Sequence, residues 1–523
     1  MIFNNRLDKS KTDASWQASI AAICHPQVAT MLLLGISAGI PLLLIFSSLS
    51  LWLREAGVDR SAVTYFSWAA LGYSFKFVWA PLVDSLQLPF LTNCLGRRRA
   101  WLLLSQLMII TAISLMALIN PATGTLTAMA LAAVLLGFSS ATQDIVIDAY
   151  RIESAEGNLQ ALLSSGYIAG YRIGMLIAGA GALYLASFLG SSAEQYSYTA
   201  WRSTYFCMAL MMLIGVITTF CISEPLTENR AITTTENNNN LRLLLLFSSV
   251  VLSFIGCYFV SAELAKTAKY QLGQLISNAL LVGTIIEILR LFTALFTATL
   301  ISKLLLMVGL VDKAQIERMY IEPIRDFFRR YGLSVAWALL ALIGLYRVSD
   351  IVLGVISNVF YQDLGFDKVT IANVAKSFGL VMTIVGGFIG GILAVRFGVI
   401  RILFAGALLS AATNLLFVAL AKAGQDLSLL YWVIAADNLS AGLASAAFVA
   451  FLSSLTNVSF TAMQYAIFSS LMTLLPKVLG GYSGSIVDSL GYESFFLITA
   501  LMGLPVLILI LWVNRLLNAR STH

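Results

Sequence analysis

The side chains best suited to chemistry are ionisable residues that interrupt long apolar stretches. They carry both signs, and they are Lys76, Asp144, Asp148, Arg172, Arg347, Asp350, Lys376, Asp437 and Lys477. Ionisable groups are costly inside a bilayer and occur mainly where they face a cavity or one another. Amides also lie in these stretches, at Gln143, Asn358, Asn438 and Gln464. Such a mixed set suits a large polar solute, zwitterionic or anionic, better than a bare ion.

Three of the carboxylates, Asp144, Asp350 and Asp437, lie deep within their apolar stretches. Burial favours the protonated form of a carboxyl group, whereas an adjacent cation favours the ionised form. A group held between these two effects can take up a proton on one side of a membrane and release it on the other. We therefore expect these residues to be candidates for proton coupling. The alternative is structural, because Arg347 and Asp350 at i,i+3 could simply satisfy each other.

A second group of charges suggests a gate. Asp144, Asp148 and Arg151 stand at i, i+4 and i+7 and therefore share one helix face. Asp148 and Arg151 lie near the end of that helix, where a gate or a structural lock is the better interpretation. Asp84 ends an earlier apolar stretch, and Arg97 and Arg98 open the next one. We group these five candidates, Asp84, Arg97, Arg98, Asp148 and Arg151, as a predicted gate.

The amino-acid composition indicates the class of protein in which these residues lie. Of the 523 residues, 59% are hydrophobic and 11% are charged, against roughly 25% charged in a soluble domain. A soluble protein could not cover its surface with so few charges, so the chain is predicted to be a polytopic membrane protein. The net charge of +6 comes from short basic clusters between apolar runs and does not indicate nucleic-acid binding.

Histidine and cysteine usage limits the chemistry further. The two histidines, His25 and His523, lie outside the apolar stretches, which leaves no histidine base or ligand for a metal site within the membrane. The five cysteines are scattered without paired spacing and are interpreted as free thiols. We expect no cofactor and no metal.

A spanning helix needs about 20 mostly apolar residues. Fourteen segments qualify, and we label them α1 to α14. They lie at about 28–53, 61–86, 100–119, 124–151, 158–189, 201–222, 241–262, 274–305, 334–361, 369–395, 401–421, 428–456, 460–487 and 493–514. An amphipathic segment between α8 and α9 is predicted to be an exposed connector.

Lysine and arginine counts in the loops orient the chain. With the amino terminus inside, eighteen of these residues fall on the cytoplasmic side and seven on the opposite side. We therefore predict that both termini are cytoplasmic. Lys76 then lies ~15 Å from the cytoplasmic end of α2, near the middle of the bilayer.

An internal repeat predicts the architecture. The segment after α1, REAGVDRSAVTYFSW, resembles QDLGFDKVTIANVAK after α9, at a spacing of 308 residues. Helices α4 and α12 align at a spacing of 305, as do α5 and α13. Two six-helix halves with the same orientation form a parallel repeat. The predicted class is all-α, with two six-helix bundles and α7–α8 as an inserted hairpin. The predicted parts are residues 1–27, 28–222, 223–333, 334–514 and 515–523.

The charges avoid every third helix of the repeat. Helices α3, α6, α11 and α14 have no charged residue in their apolar interiors, whereas seven of the other helices of the two halves, α2, α4, α5, α9, α10, α12 and α13, supply the charges listed above. These four helices can face lipid while the others line a polar cavity between the halves. This distribution favours a porter.

Several motifs resemble the AmpG muropeptide permease family of the major facilitator superfamily. They include SATQDIVIDAYRIE in α4, LREAGVD, KFVWAPLVD, GRRRAWLL, GYRIGML, FYQDLGFDK, KSFGL and AAFVAFLSSLTNVSFTAMQYAIFSSL. The resemblance covers residues 30–225 and 335–515. Asp84 with the Gly-Arg-Arg turn also resembles the superfamily's loop motif between its second and third helices, at a longer spacing. One departure is visible: the family's Ala-Thr-Gln-Tyr run reads Ala462–Met463–Gln464–Tyr465 here.

The resemblance implies proton-driven import of N-acetylglucosaminyl-1,6-anhydro-N-acetylmuramyl peptides across the bacterial inner membrane, serving murein recycling and β-lactamase induction. By motif, Gln143, Asp144, Asp148, Tyr150 and Arg151 belong to the family's α4 pattern, Tyr171 and Arg172 to its α5 pattern, and Lys376 to the KSFGL motif. For such a ligand, Tyr73, Tyr171 and Tyr465 could supply stacking or hydroxyl contacts. Arg172, Arg347, Lys376 and Lys477 could bind peptide carboxylates. A monomer is expected.

Three other functions remain open at this point. The chain could be a superfamily porter for another peptide or for an acetyl-CoA-like anion. A membrane-embedded acyl- or glycosyltransferase would need a catalytic constellation or a sizeable extramembrane domain, which the sequence does not show. A receptor would need an output domain, which is likewise not visible.

Overall fold

The computed structural model describes residues 25–58, 66, 72–123, 126–155, 159–192, 195–225, 237–275, 279–309, 311–366, 368–480 and 483–521. The side chains of Asn358 and Lys477 lie outside the described set. Within these ranges the regular structure is helical, and twelve helices are long and apolar enough to cross a membrane. The prediction of an all-α membrane protein, made from composition and the apolar spans, is confirmed.

The first half contains six helical segments, whose boundaries follow local signals. The bounds are Pro26–Ile45 with Ser47–Glu55 for α1; Gly72–Phe75, Lys76–Val78 and Ala80–Ser85 for the described part of α2; Arg97–Leu118 for α3; Leu126–Ser154 for α4; Gln160–Leu176, Ile177–Gly181 and Ala182–Phe188 for α5; and Tyr198–Met211 with Leu213–Cys221 for α6. Pro26 occupies the first turn of α1, where its missing N–H costs nothing. Gly96, with φ of 86°, turns the chain into α3.

The second half repeats this arrangement. The bounds are Glu322–Leu345 with Val348–Asp363 for α9; Lys368–Ile371, Ala372–Phe378 and Gly379–Phe397 for α10; Val399–Ala423 for α11; Leu427–Leu455 for α12; Val458–Phe460 with Thr461–Gly480 for α13; and Ser483–Ser521 for α14. The Asp426 carboxylate accepts from the Leu429 N–H at 3.0 Å and so caps α12.

The chain divides into two compact units. One comprises the residues up to Glu228 and from Asp326 onward, and the other comprises Asn229–Arg325. In the second unit, Asn237–Val260 forms α7, Ala262–Leu275 prolongs it, and Ala279–Met307 forms α8. Arg290 of α8 donates to the Tyr258 carbonyl at 2.7 Å and lies 4.0 Å from its ring centre, which fastens α8 to α7.

The expected count of fourteen spans is approximate. Helix α7 qualifies as a span over Arg242–Val260, and the described residues of α8 include the apolar segment Phe292–Met307. Much of the predicted α2 lies outside the described residues. Its described part is broken into short turns around Lys76, which apolar content alone does not predict.

The prediction of an exposed connector before α9 is wrong for its second part. The helix that begins at Glu322 continues into α9, with a break at Gly332, where φ is 65°. Phe327 is 4% exposed and Tyr331 is 6% exposed. Both rings pack in the core of the second half, and Phe327 lies 5.3 Å from Phe468. The i,i+4 spacing of these two aromatic residues puts them on one buried face.

Glycine allows the closest helix contacts. A Cβ added at Gly170 of α5 would lie 2.0 Å from the Leu32 carbonyl oxygen of α1. In the second half, a Cβ at Gly442 of α12 would lie 2.1 Å from the Thr383 carbonyl oxygen of α10. These distances are shorter than any side chain tolerates, so the helices approach backbone to backbone. The glycine-rich segments therefore serve packing.

Candidate functional site

A buried ion cluster lies at the end of the molecule where α3 begins and α4 ends, which we call the gate end. Arg98 is fully buried, and its guanidinium donates to Asp84 Oδ1 at 2.8 Å and to Glu153 Oε2 at 2.9 Å. Arg97 donates to the Asp84 carbonyl at 2.8 Å. The structure thus joins three residues of the predicted gate and adds Glu153, which sequence reasoning missed.

The same carboxylates connect the two halves. Asp84 Oδ2 accepts from the backbone N–H of Met463 at 3.0 Å, and Glu153 Oε1 accepts from the Thr461 hydroxyl at 2.9 Å. Met463 and Thr461 both lie at the start of α13 in the second half. The departure from the family's run at Met463 therefore falls at the gate end, where a backbone group makes the contact.

Arg151 forms a second connection between the halves. It is fully buried, and its Nη1 donates to the hydroxyl of Ser453 in α12 at 2.7 Å. Its Nη2 lies 3.3 Å from Asp148 Oδ1, and its guanidinium lies 5.2 Å from the Tyr465 ring centre. Asp148 Oδ2 is also 3.6 Å from Lys76 Nζ. Asp148 therefore links the cation of α2 to the arginine that contacts the second half.

Asp144 lies one turn further from the gate end than Asp148. The Tyr167 hydroxyl donates to Asp144 Oδ1 at 3.2 Å, and Lys76 and Asp148 lie close enough to act on it electrostatically. The Tyr73 hydroxyl donates to Ser140 Oγ at 2.7 Å on the same helix. The carboxylate is thus surrounded by one cation, one anion and phenol groups.

Gln143 points elsewhere. It is fully buried, and its amide nitrogen donates to Ser37 Oγ of α1 at 2.9 Å. The structure therefore places this predicted ligand between helices of the first half. Two phenols of α5 lie on the side of Asp144: Tyr167 donates to its carboxylate, and the Tyr171 ring is 5.9 Å from the Tyr167 ring.

Two arginines from opposite halves lie close together. Arg172 of α5 is solvent-exposed although it sits mid-helix, and it lies close enough to Arg347 of α9 for the two charges to repel. Arg347 Nε is 3.5 Å from Asp350 Oδ2, and its Nη1 donates to Ser445 Oγ at 3.0 Å. The Arg347–Asp350 ion pair, which the sequence offered as the structural alternative for these residues, is present. Arg172 and Arg347 thus bring two positive charges between the halves, and Asp350 is paired with Arg347 alone.

The remaining candidates are dispersed. Asn438 accepts from the Thr383 hydroxyl at 2.9 Å within the second half. Asp437 lies within electrostatic reach of Asp350.

Lys376 is exposed on α10. Gln464 is 2% exposed and lies at the gate end, where its side-chain oxygen accepts from the Asn457 N–H at 2.7 Å. The predictions for Asn358 and Lys477 lie outside the described side chains.

The amino-acid sequence is similar to those of several known proteins. The sequence profile of the Major Facilitator Superfamily matches residues 27–311 and 338–522. A protein of Rickettsia conorii named Putative transporter AmpG 4 is 30% identical over 486 residues, which are 93% of this chain and 96% of that protein. The Anhydromuropeptide permease of Escherichia coli K12 is 28% identical over 495 residues, which are 94% of this chain and 81% of that protein.

Solved structures show the same fold. The proton:xylose symporter XylE has a TM-score of 0.56 at 13% identity, covering 94% of this chain and 95% of that one. The transporter FucP in the outward conformation has a TM-score of 0.55 at 12% identity, covering 94% of this chain and 99% of that one. The predicted fold of two six-helix bundles is confirmed.

Proposed function

Because the chain belongs to the Major Facilitator Superfamily and, within it, to the AmpG muropeptide permease family, we propose that it imports GlcNAc-1,6-anhydro-MurNAc peptides in symport with protons. Its relatives are transporters and permeases, so the chain is a multi-pass membrane transporter and not an enzyme. We place it in the bacterial inner membrane with both termini in the cytoplasm, as a monomer. Import by this route would serve murein recycling and β-lactamase induction.

The observation that carries the substrate class is the proximity of the like-charged Arg172 and Arg347. These arginines come from different halves and lie close enough to repel each other, and Asp350 is the carboxylate paired with Arg347. An excess of positive charge between the halves is stabilised by an anionic ligand, and a guanidinium binds a carboxylate with two parallel hydrogen bonds. A muropeptide carries such carboxylates. Tyr171, next to Arg172, offers a ring face for a sugar.

The cluster around Asp144 suggests how a proton could be coupled to the gate. Lys76 acts on Asp144 and also pairs with Asp148, which in turn holds Arg151 against the second half. We propose that protonation of Asp144 releases Lys76 toward Asp148, and that loss of the proton draws it back. A change in the charge of Asp144 would then alter the Arg151–Ser453 hydrogen bond through Lys76 and Asp148.

Binding to the two arginines can be measured directly. We expect Arg172→Gln and Arg347→Gln each to weaken binding of GlcNAc-anhydro-MurNAc-tripeptide by about 1.5–3 kcal/mol, or roughly 10- to 150-fold in Kd, because each removes a charge-assisted contact. Isothermal titration calorimetry on the purified protein gives the Kd. Arg202→Gln, at an exposed arginine that faces the ring of Phe206, is the matched control.

Two results of the calorimetry would contradict the assignment. Unchanged Kd values in both variants would show that the arginines do not contact the ligand. Tighter binding of an acetyl-CoA-like anion than of the muropeptide by the parent protein would favour a porter for that class of anion.

A further inference from the structure

A polar network fastens the turn between α12 and α13 at the gate end. The Asp326 carboxylate accepts from Arg330 Nε at 2.8 Å, from the Gln464 amide at 3.0 Å and from the Asn457 amide at 3.2 Å. Arg330 also donates to Gln464 Oε1 at 3.0 Å and to the Leu455 carbonyl at 3.1 Å. The Asp326 carboxylate thus accepts hydrogen bonds from three side chains. Arg330 lies one helical turn away, whereas Asn457 and Gln464 lie more than a hundred residues further along the chain.

The network is protected from water. Gln464 is 2% exposed, and the side chains of Arg330 and Asp326 are 16% and 20% exposed. Hydrogen bonds to charged groups in such surroundings are worth more than those on an open surface, and removing one partner is correspondingly costly. The network therefore stabilises one geometry of the turn between α12 and α13.

The turn that it holds carries the second half's contacts to the first half. Ser453, whose hydroxyl accepts a hydrogen bond from Arg151, lies two residues before Leu455. Thr461 and Met463, which bind Glu153 and Asp84, lie directly before Gln464. A shift of this turn would therefore move the partners of all three gate contacts together.

The first half has comparable contacts at its matching turn. Gln27, at the start of α1, donates to the Ser154 carbonyl at 2.8 Å, as Arg330 before α9 donates to Leu455. Gln160, at the start of α5, donates to the Arg151 carbonyl at 3.0 Å, and Gln464 lies near the start of α13. A charged pair takes part at each turn, Arg98–Glu153 in the first half and Asp326–Arg330 in the second.

We propose that Asp326, Arg330 and Gln464 are positioning residues that hold the α12–α13 turn in the closed-gate geometry and so set the balance between the closed and open gate. They act through Ser453, Thr461 and Met463, and they do not contact substrate. This inference rests on the proposed alternating-access transport. Gln464 accordingly serves the gate and not the solute.

A reporter cysteine tests the inference without any substrate. Ser165 of α5 is 1% exposed, and its hydroxyl donates to the Gly387 carbonyl of α10 at 2.7 Å, between the two halves. In a background with all five native cysteines replaced by serine, Ser165→Cys reacts with a maleimide in detergent solution only when the halves separate. We expect Asp326→Asn and Gln464→Met each to raise the labelling rate by at least about fivefold.

Two comparisons separate a positioning role from general damage. Glu317→Gln breaks the exposed Glu317–Arg325 pair, 3.0 Å apart, in the same connector and should leave the labelling rate unchanged. The double variant Asp326→Asn with Gln464→Glu returns a carboxylate to Arg330 and Asn457 from the other side and should restore the parent rate. Gel filtration and melting temperature identify any variant that has merely unfolded, and Arg330→Lys then takes its place.

The inference would be overturned if both single variants label at the parent rate, or if the double variant labels as fast as Asp326→Asn alone. Because the assay measures gate opening and not uptake, an increase in labelling supports the inference whichever solute the protein carries. Failure of muropeptide binding would affect only the proposed substrate.

Discussion

At the scale of single residues, Asp144 is the carboxylate best placed to couple a proton to the gate. It shares Lys76 with Asp148 and receives the Tyr167 hydroxyl. Asp350 is instead paired with Arg347, whose Nε lies 3.5 Å from Asp350 Oδ2. Its negative charge partly offsets the positive charge of the proposed ligand site. The two carboxylates therefore have different neighbours and, in our proposal, different roles.

Replacing Asp144 by asparagine should separate transport from coupling. The amide keeps the shape and the Tyr167 contact but cannot gain or lose a proton. We expect Asp144→Asn to exchange labelled muropeptide across the membrane at a rate near that of the parent, while accumulation driven by a proton gradient falls at least about tenfold. Counterflow and gradient-driven uptake in proteoliposomes measure the two rates.

The control for this experiment is Asp426→Asn, which alters a helix cap far along the chain from Asp144. Accumulation in Asp144→Asn at the level of this control would move the coupling site elsewhere, with Asp437 as the next residue to test.

The sequence identified the costly residues but not their partners. Charges in apolar stretches can be recognised because burying them is expensive. Which side chain each one meets depends on helix rotation and on contacts between segments remote in sequence. Glu153 lies at the polar end of α4 and carries no such signal, although it binds Arg98 and Thr461. The neighbours of Gln464, which are Asp326, Arg330 and Asn457, are likewise not visible in the sequence.

At the scale of helices, apolar content predicted the spans well because lipid imposes a minimum length on each. It could not predict the interrupted α2, where Lys76–Val78 forms a short tight turn, nor the burial of Phe327 before α9. Both features depend on packing against other helices. The glycine-rich segments were recognised, but only the structure shows that Gly170 meets a carbonyl oxygen.

A methyl group at Gly170 should therefore destabilise the protein. The added Cβ would lie 2.0 Å from the Leu32 carbonyl oxygen, so α1 and α5 must separate. We expect Gly170→Ala to cost about 1–3 kcal/mol or more, seen as a lower melting temperature in detergent. Gly354→Ala, whose Cβ meets no described heavy atom within 4 Å, should be neutral or stabilising by up to about 1 kcal/mol. Equal losses in both variants would contradict the packing argument.

The start of α3 should respond to pH through Glu224. Its carboxylate accepts from the backbone N–H groups of Arg98 at 2.8 Å and Arg99 at 3.1 Å. Burial raises the pKa of Glu224 above its ordinary value of 4.5, and the two backbone hydrogen bonds only partly oppose this shift. Between the ordinary and the raised pKa the folded protein binds more protons than the unfolded chain, so the contribution of Glu224 to stability falls as pH rises.

Glu224→Gln should remove this dependence, because an amide does not titrate. The melting temperature of the parent minus that of the variant is therefore expected to fall as the pH rises above 4.5. Thermal unfolding in detergent at several pH values gives this difference. A difference that grows with pH would mean that the hydrogen bonds outweigh burial and that the pKa is lowered.

At the scale of the whole molecule, hydrogen bonds between the halves lie at the gate end, while Arg172 and Arg347 lie within electrostatic reach of each other further along α5 and α9. The closed end is the one at which α3 begins with three arginines, which the loop charges predict to be cytoplasmic. This arrangement suits a transporter that receives its solute from the opposite side. The repeat in the sequence anticipated the two halves, but it could not show which end is closed.

Uptake of labelled GlcNAc-anhydro-MurNAc-tripeptide into proteoliposomes is the sharpest test of proton-driven muropeptide import. The purified protein is reconstituted with and without an imposed proton gradient, acid outside, and empty liposomes give the background. We predict accumulation above the equilibrium level with the gradient, and slower equilibration without it. Uptake equal to that of empty liposomes would contradict the proposed substrate, and accumulation indifferent to the gradient would contradict proton symport.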